Sequence, residues 1–149
     1  MEPVQRAGPL RVSAAPEAIR AFRRETGWTD PEDSDLLPPP ASFPVVWMRL
    51  PEIGEPIRAA AAEIGLPVHE AQTFAYERPL ESGRDYDLML ELRRETAPAR
   101  LIATAEVFGL DGAFVARIVS TLRLIDPKDL PKDLPKDLPK DLPAGGDGP

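Results

Sequence analysis

His69 is the single histidine of the chain, and it stands in the run Val68-His69-Glu70-Ala71-Gln72. Any proton transfer that depends on an imidazole near neutral pH must therefore use it. The other concentration of titratable groups is Asp30, Glu32, Asp33 and Asp35, a carboxylate cluster set beside prolines. Such a cluster reads first as a solvated acidic loop. Its functional readings are acid/base chemistry, with His69 working beside Asp30 or Asp33, or a surface for a basic partner. Raised carboxylate pKa values would require burial, which a polar loop does not suggest. There is no cysteine, so thiolate nucleophiles, thiolate metal sites and disulfide frameworks are excluded. One histidine without cysteines is also a poor set of transition-metal ligands, so no metal is expected.

The net charge of −7 argues against a general nucleic-acid binder, which needs a basic surface to meet phosphates. No apolar run approaches the roughly 20 residues of a membrane span, and Met1 to Leu10 lacks the apolar core of a secretory signal. A cytoplasmic location is the expectation, with no membrane partner. At 149 residues the chain has room for one domain with a sizeable core.

The elements that must position these groups fall into two halves. From Val68 onward the pattern alternates with period two, the primary strand signal. In Val68 to Leu80, Val68, Gln72, Phe74 and Tyr76 are assigned to one face and His69, Ala71, Thr73 and Ala75 to the other. In Asp85 to Arg93, Tyr86, Leu88, Leu90 and Leu92 share a face. Leu101 to Phe108 is apolar on both sides, as a central strand is. In Ala113 to Ile125, Phe114, Ala116, Ile118, Leu122 and Leu124 form one face and Arg117, Thr121 and Arg123 interrupt the other. Glu81-Ser82-Gly83, Thr96-Ala97-Pro98 and Gly109-Leu110-Asp111-Gly112 supply the turns. The C-terminal half of the body is thus an antiparallel meander of four strands.

The N-terminal half reads as helices and loops. Pro16 opens a helix that buries Ile19 and Phe22, and Gly27 ends it. Leu36 to Pro44 is too rich in proline to be regular. The apolar stretch Phe43 to Leu50 follows. Next comes a helical segment from Glu55 to Ile64, whose four consecutive alanines, Ala59 to Ala62, permit close packing on a sheet. Helices followed by antiparallel strands give an α+β architecture, with a curved sheet wrapped around a central helix.

Residues 127–149 are different in kind. All four lysines lie in the last 22 residues, and every arginine lies before Ile125. From Lys128 to Pro143 the unit Lys-Asp-Leu-Pro occurs four times. A proline every fourth residue removes amide donors, and one leucine per repeat buries too little to offset ordering the chain. A disordered, partly polyproline-like tail is expected, either simply solvated or serving as a tether or docking peptide.

The body, over about residues 10 to 126, resembles the MaoC-like and fatty-acid-synthase-type dehydratases and hydratases of the hot-dog fold. The likeness is carried by Leu66-Pro67-Val68-His69-Glu70-Ala71-Gln72-Thr73-Phe74-Ala75-Tyr76-Glu77-Arg78-Pro79-Leu80. That run is similar to the family strand His-Gly-Glu-Gln-x-Phe-x-Tyr-x-Arg-Pro-Leu and its glycine turn, here Ser82-Gly83. Pro38-Pro39-Pro40-Ala41-Ser42-Phe43 looks like the family's lead-in to the central helix, and Ile19-Arg20-Ala21-Phe22 with Thr26-Gly27 supports it.

The resemblance implies reversible addition of water to a 2-enoyl thioester. The acyl group would be carried on coenzyme A or on the phosphopantetheine of an acyl carrier protein, with no other cofactor. Fatty-acid, polyketide and steroid side-chain metabolism all use such chemistry. Active relatives place an Asp and a His in Thr-Gly-Asp-x-Asn-Pro-x-His, because elimination needs a base and an acid around the reacting carbons. The matching stretch here is Thr26-Gly27-Trp28-Thr29-Asp30-Pro31-Glu32-Asp33. Trp28 stands in the place of the Asp, and Asp33 in the place of the His. An indole takes no proton from water, so the resemblance implies a subunit without the family's dyad. It would serve as the accessory, tunnel-shaping partner of a catalytically complete hot-dog subunit in a heterodimer or higher assembly. A self-sufficient enzyme using His69 with Asp30 or Asp33, and a non-enzymatic acyl-binding or scaffold module, are the alternatives. Trp28, Phe43, Trp47 and Met48 are the candidate acyl-binding residues, or ordinary core. Arg78, Arg84, Arg93 and Arg94 are candidates for meeting a carrier-protein or coenzyme phosphate, or solvated strand residues.

Overall fold

The computed structural model describes residues 4–28 and 37–132. Five strands form one sheet in the order β1-β3-β4-β5-β2, every neighbouring pair antiparallel: β1 (Gln5–Ser13), β2 (Leu66–Tyr76), β3 (Asp85–Thr96), β4 (Ala99–Gly109) and β5 (Phe114–Ile125). Helix α1 (Pro16–Glu25) follows β1. A 3-10 segment (Phe43–Arg49) leads directly into helix α2 (Pro51–Ala62), which packs on one face of the sheet.

The alternation predicted for β3 is the alternation observed. Tyr86, Leu88, Leu90 and Leu92 are buried, and they join Leu101, Ala103, Ala105 and Val107 of β4 and Ala116, Ile118 and Leu124 of β5. From α2 the core takes Ile53, Ala60 and Ala61. The two buried alanines lie within the predicted alanine run and let the helix lie close to the strands. The other face carries ion pairs, Arg6 with Glu91, Arg11 with Asp87, and Arg117 with Glu106, beside apolar residues such as Met89 and Phe108. These exposed pairs contribute little each to stability, but they keep that face hydrated.

The structure corrects the sequence reading in three places. The N-terminal segment read as helix and loop begins with a strand, β1, paired to β3. Its alternation is interrupted by Gly8-Pro9, where the register shifts between Ala7 and Leu10. Gly8 has φ of 120°, and a Cβ there would lie 2.7 Å from the Leu88 carbonyl oxygen, so only glycine lets the strand pass. Helix α2 starts at Pro51 rather than Glu55, because a proline in the first turn gives up only an amide that has no helical partner. The third correction concerns β2, whose register shifts between His69 and Ala71. That bulge moves His69 to the helix-facing side, opposite Leu122, and Val68 to the outer side, opposite Arg123.

After β5, Pro127–Asp129 make a single 3-10 turn, with Asp126 accepting a hydrogen bond from the Lys128 amide at 2.9 Å. The remaining repeats, residues 133–149, lie outside the described residues.

Candidate functional site at the open β2 edge

Among the described residues, strand β2 is bonded to β5 on one side only, at the end of the sheet. The Glu77 amide donates to the Val115 carbonyl at 2.8 Å. Counting back along the antiparallel register, Ala75, Thr73 and Ala71 direct their backbone groups to β5. Gln72, Phe74 and Tyr76 therefore direct their N–H and C=O groups out of the sheet. The side chains of the same three residues lie half-buried on the helix-facing side. This edge is long and carries no lysine. Past its own bulge at Glu70 the β2 edge runs without a further register shift from Ala71 to Tyr76, whereas the β1 edge is broken in mid-strand by Pro9 and its register shift.

The bulge gathers a polar cluster into this otherwise apolar layer. The Gln72 side-chain amide donates to the Val119 carbonyl at 3.2 Å, and its Oε1 accepts from the Ser120 hydroxyl at 2.8 Å. Ser120 is only 6% exposed. The His69 Nε2 lies 3.1 Å from the same Gln72 Oε1. Because that oxygen only accepts, the neutral imidazole carries its proton on Nε2, and Nδ1 is left as an acceptor. Ser120 donates to Gln72 and not to the imidazole, so the three groups form no nucleophile–base pair.

Glu70, the neighbour of His69, faces the opposite way. Its carboxylate accepts two hydrogen bonds from Arg100, both at 2.8 Å, and two from Arg123, at 3.0 and 3.4 Å. Those hydrogen bonds, from Arg100 first and Arg123 second, pull its pKa down to about 2. It is a fixed anion at neutral pH and offers no proton. Tyr76 closes the far end of the edge, its hydroxyl donating to the Ala41 carbonyl, and burial pushes its pKa up to about 12. Among the described residues no three His, Asp or Glu side chains are grouped to hold a metal ion.

The residues singled out from sequence are placed as follows. Phe43 and Trp47 are buried, and they form an edge-to-face series Phe22–Phe43–Trp47 with ring centroids 5.8 Å apart at each step. The Trp47 indole donates to the Ser13 carbonyl at 3.0 Å, tying the 3-10 segment to β1. Met48 is half-buried against the core. Trp28 is 64% exposed, just beyond α1. Asp30 and Asp33 lie outside the described residues. Arg78 pairs with Asp111, Arg84 with Glu81, and Arg93 with Glu95. Arg94 binds Glu63 and the Ala60 carbonyl at the C-terminus of α2. A groove of about 510 Å³ at the start of β3 contains Arg78 and Arg84 together with Glu81, Asp85 and Asp111. Its acids outnumber its guanidinium groups, so it has no cationic surplus for a phosphate. Sequence reasoning missed Gln72 and Ser120, since their meeting depends on β5 lying beside β2.

A single sheet of order β1-β3-β4-β5-β2 with a helix across one face matches known structures along most of the chain. The C-terminally truncated HadBC (3R-hydroxyacyl-ACP dehydratase) complex of Mycobacterium tuberculosis aligns with a TM-score of 0.62 at 17% identity, covering 80% of this chain and 93% of that one. This is the hot-dog fold. Two further hot-dog structures are the R-hydratase PhaJ1 of Pseudomonas aeruginosa, with a TM-score of 0.52 at 20% identity over 85% of this chain and 83% of that one, and the (R)-hydratase of A. caviae involved in PHA biosynthesis, with 0.53 at 14% over 84% and 98%. No protein-family model matches the sequence, and no curated protein does. Among the described residues no helix of this hot-dog chain is long and apolar enough to cross a membrane.

Proposed function

We propose that this chain is the accessory subunit of a heteromeric 3-hydroxyacyl-thioester dehydratase or enoyl-thioester hydratase. It pairs through β2 with a second hot-dog subunit that carries the catalytic Asp and His. The observation that carries the reading is the open β2 edge. Its outward-directed amides and carbonyls, and the half-buried side chains behind them, are what a partner strand would satisfy and cover. Support also comes from the chemistry of the described residues. The one imidazole is bonded to an amide, the carboxylate of its neighbour Glu70 is held as an anion by two arginines, and in the family resemblance an indole, Trp28, takes the place of the Asp. The similarity to a dehydratase complex and to two hydratases supports the reaction class. In this role the chain stabilises the active subunit and shapes the tunnel for the acyl group, whose thioester is carried on coenzyme A or an acyl carrier protein.

The test is co-expression with a hot-dog subunit that has an intact Asp/His stretch, followed by hydration of crotonyl thioester. The pair is expected to co-purify and to hydrate faster, or survive longer, than the catalytic subunit alone. Equal activity and equal lifetime without this chain would sink the accessory role.

A further inference from the structure

The Ser120–Gln72–His69 relay has a geometry that the fold of this chain does not itself require. Ser120 and the Val119 carbonyl fix the Gln72 amide in one orientation. Gln72 in turn holds the imidazole by Nε2. The result is an exposed ring at the sheet edge with its Nδ1 lone pair unused by any described group. Ordering a side chain costs entropy, and an exposed histidine ordinarily gains nothing from it.

We propose that His69 is the polar anchor of the β2 seam. Its Nδ1 accepts a hydrogen bond from a donor side chain that the partner subunit's edge strand places directly opposite. The occupant is a strand because the outward-directed backbone groups of Gln72, Phe74 and Tyr76 recur every second residue along one edge, the spacing of a ladder. Once a strand pairs there, the residue facing His69 on the same side of the sheet has its Cβ about 4.5–5.5 Å away. The matching chemistry is a hydroxyl, amide or ammonium group, since only a donor satisfies Nδ1. Glu70, turned to the other face and held by Arg100 and Arg123, leaves His69 as the edge's contact of this kind on the helix-facing side. This inference rests on the accessory reading for the identity of the partner, and on the relay for the residue.

The experiment is a double-mutant cycle on the full chain paired with the dyad-bearing hot-dog subunit, with association measured by calorimetry and crotonyl-thioester hydration in parallel. His69→Phe keeps a ring and removes the acceptor, and is expected to weaken association by about tenfold. Gln72→Leu leaves His69 in place without its tether, and is expected to weaken association similarly. The double variant should be little worse than either single one, because both remove the same contact. His69→Asn, with an acceptor near the position of Nδ1, should recover part of the loss. Unchanged affinity of His69→Phe, or fully additive losses, would overturn the anchor while the accessory reading stands. A wild-type chain that neither binds the second subunit nor alters its activity overturns both.

Discussion

The His69 Nε2 lies 3.1 Å from the Gln72 Oε1, although residues three apart on a regular strand face opposite sides of the sheet. The bulge at Glu70 supplies the extra residue that reverses the parity. The carboxylate of Glu70 then reaches two arginines on strands β4 and β5, across the outer face. One inserted residue therefore sets both the relay on one side and the ion cluster on the other.

Glu70→Gln is expected to destabilise the chain in a pH-dependent way. The folded-state pKa of Glu70 is depressed to about 2 from an ordinary value of 4.5, by hydrogen bonds from Arg100 and Arg123. Its contribution is fully present above about pH 5 and is lost as pH falls toward 2. Urea midpoints of wild type and variant should differ near neutrality and converge on acidification. A constant difference across that range would assign the effect to something other than charge.

Tyr76 should ionise late. Burial holds its phenol near 12, against an ordinary value of 10. In a spectrophotometric titration at 295 nm, one of the two tyrosines should remain protonated until about pH 12, and Tyr76→Phe should remove that step. Since the folded pKa is raised, the folded state is destabilised as pH climbs from 10 toward 12. The variant lacks that fall.

Phe43→Ala should cost about 3–5 kcal/mol in urea denaturation, as for other fully buried aromatic side chains cut to alanine. Phe43 is wholly buried between Phe22 and Trp47. Trp28→Ala should change stability of the isolated chain by no more than about 0.5 kcal/mol, because that indole is exposed.

Gly65→Ala tests the start of the β2 ladder. A Cβ at Gly65 would collide with the Ile125 carbonyl oxygen and lie 2.8 Å from its carbon. Both atoms belong to backbone and cannot turn aside, so β2 must shift along β5. A loss of about 1–3 kcal/mol is expected, with weakened amide protection at Leu66 and Ile125 in hydrogen exchange. Unchanged protection there would contradict the close approach.

Much of this fold was legible because period-two alternation is a local property. Tyr86, Leu88, Leu90 and Leu92 mark the buried face of β3 without reference to any other strand, and Pro16, Ile19, Phe22 and Gly27 outline α1 in the same way. The resemblance around His69 and Tyr76 likewise pointed to a hot-dog sheet wrapped on a helix. Where the chain's own pattern was broken, tertiary contacts decided. Gly8-Pro9 hides β1 from a periodicity argument, and only pairing with β3 makes that segment a strand. The side of the sheet on which His69 lies was not written in its neighbours, because a bulge is a mismatch between two strands and exists only once both are paired. Gln72 and Ser120 are 48 residues apart, and no spacing in the sequence announces their hydrogen bond. Local periodicity follows from backbone geometry residue by residue, whereas a relay across strands depends on register, and register is fixed only when the whole sheet closes over its core.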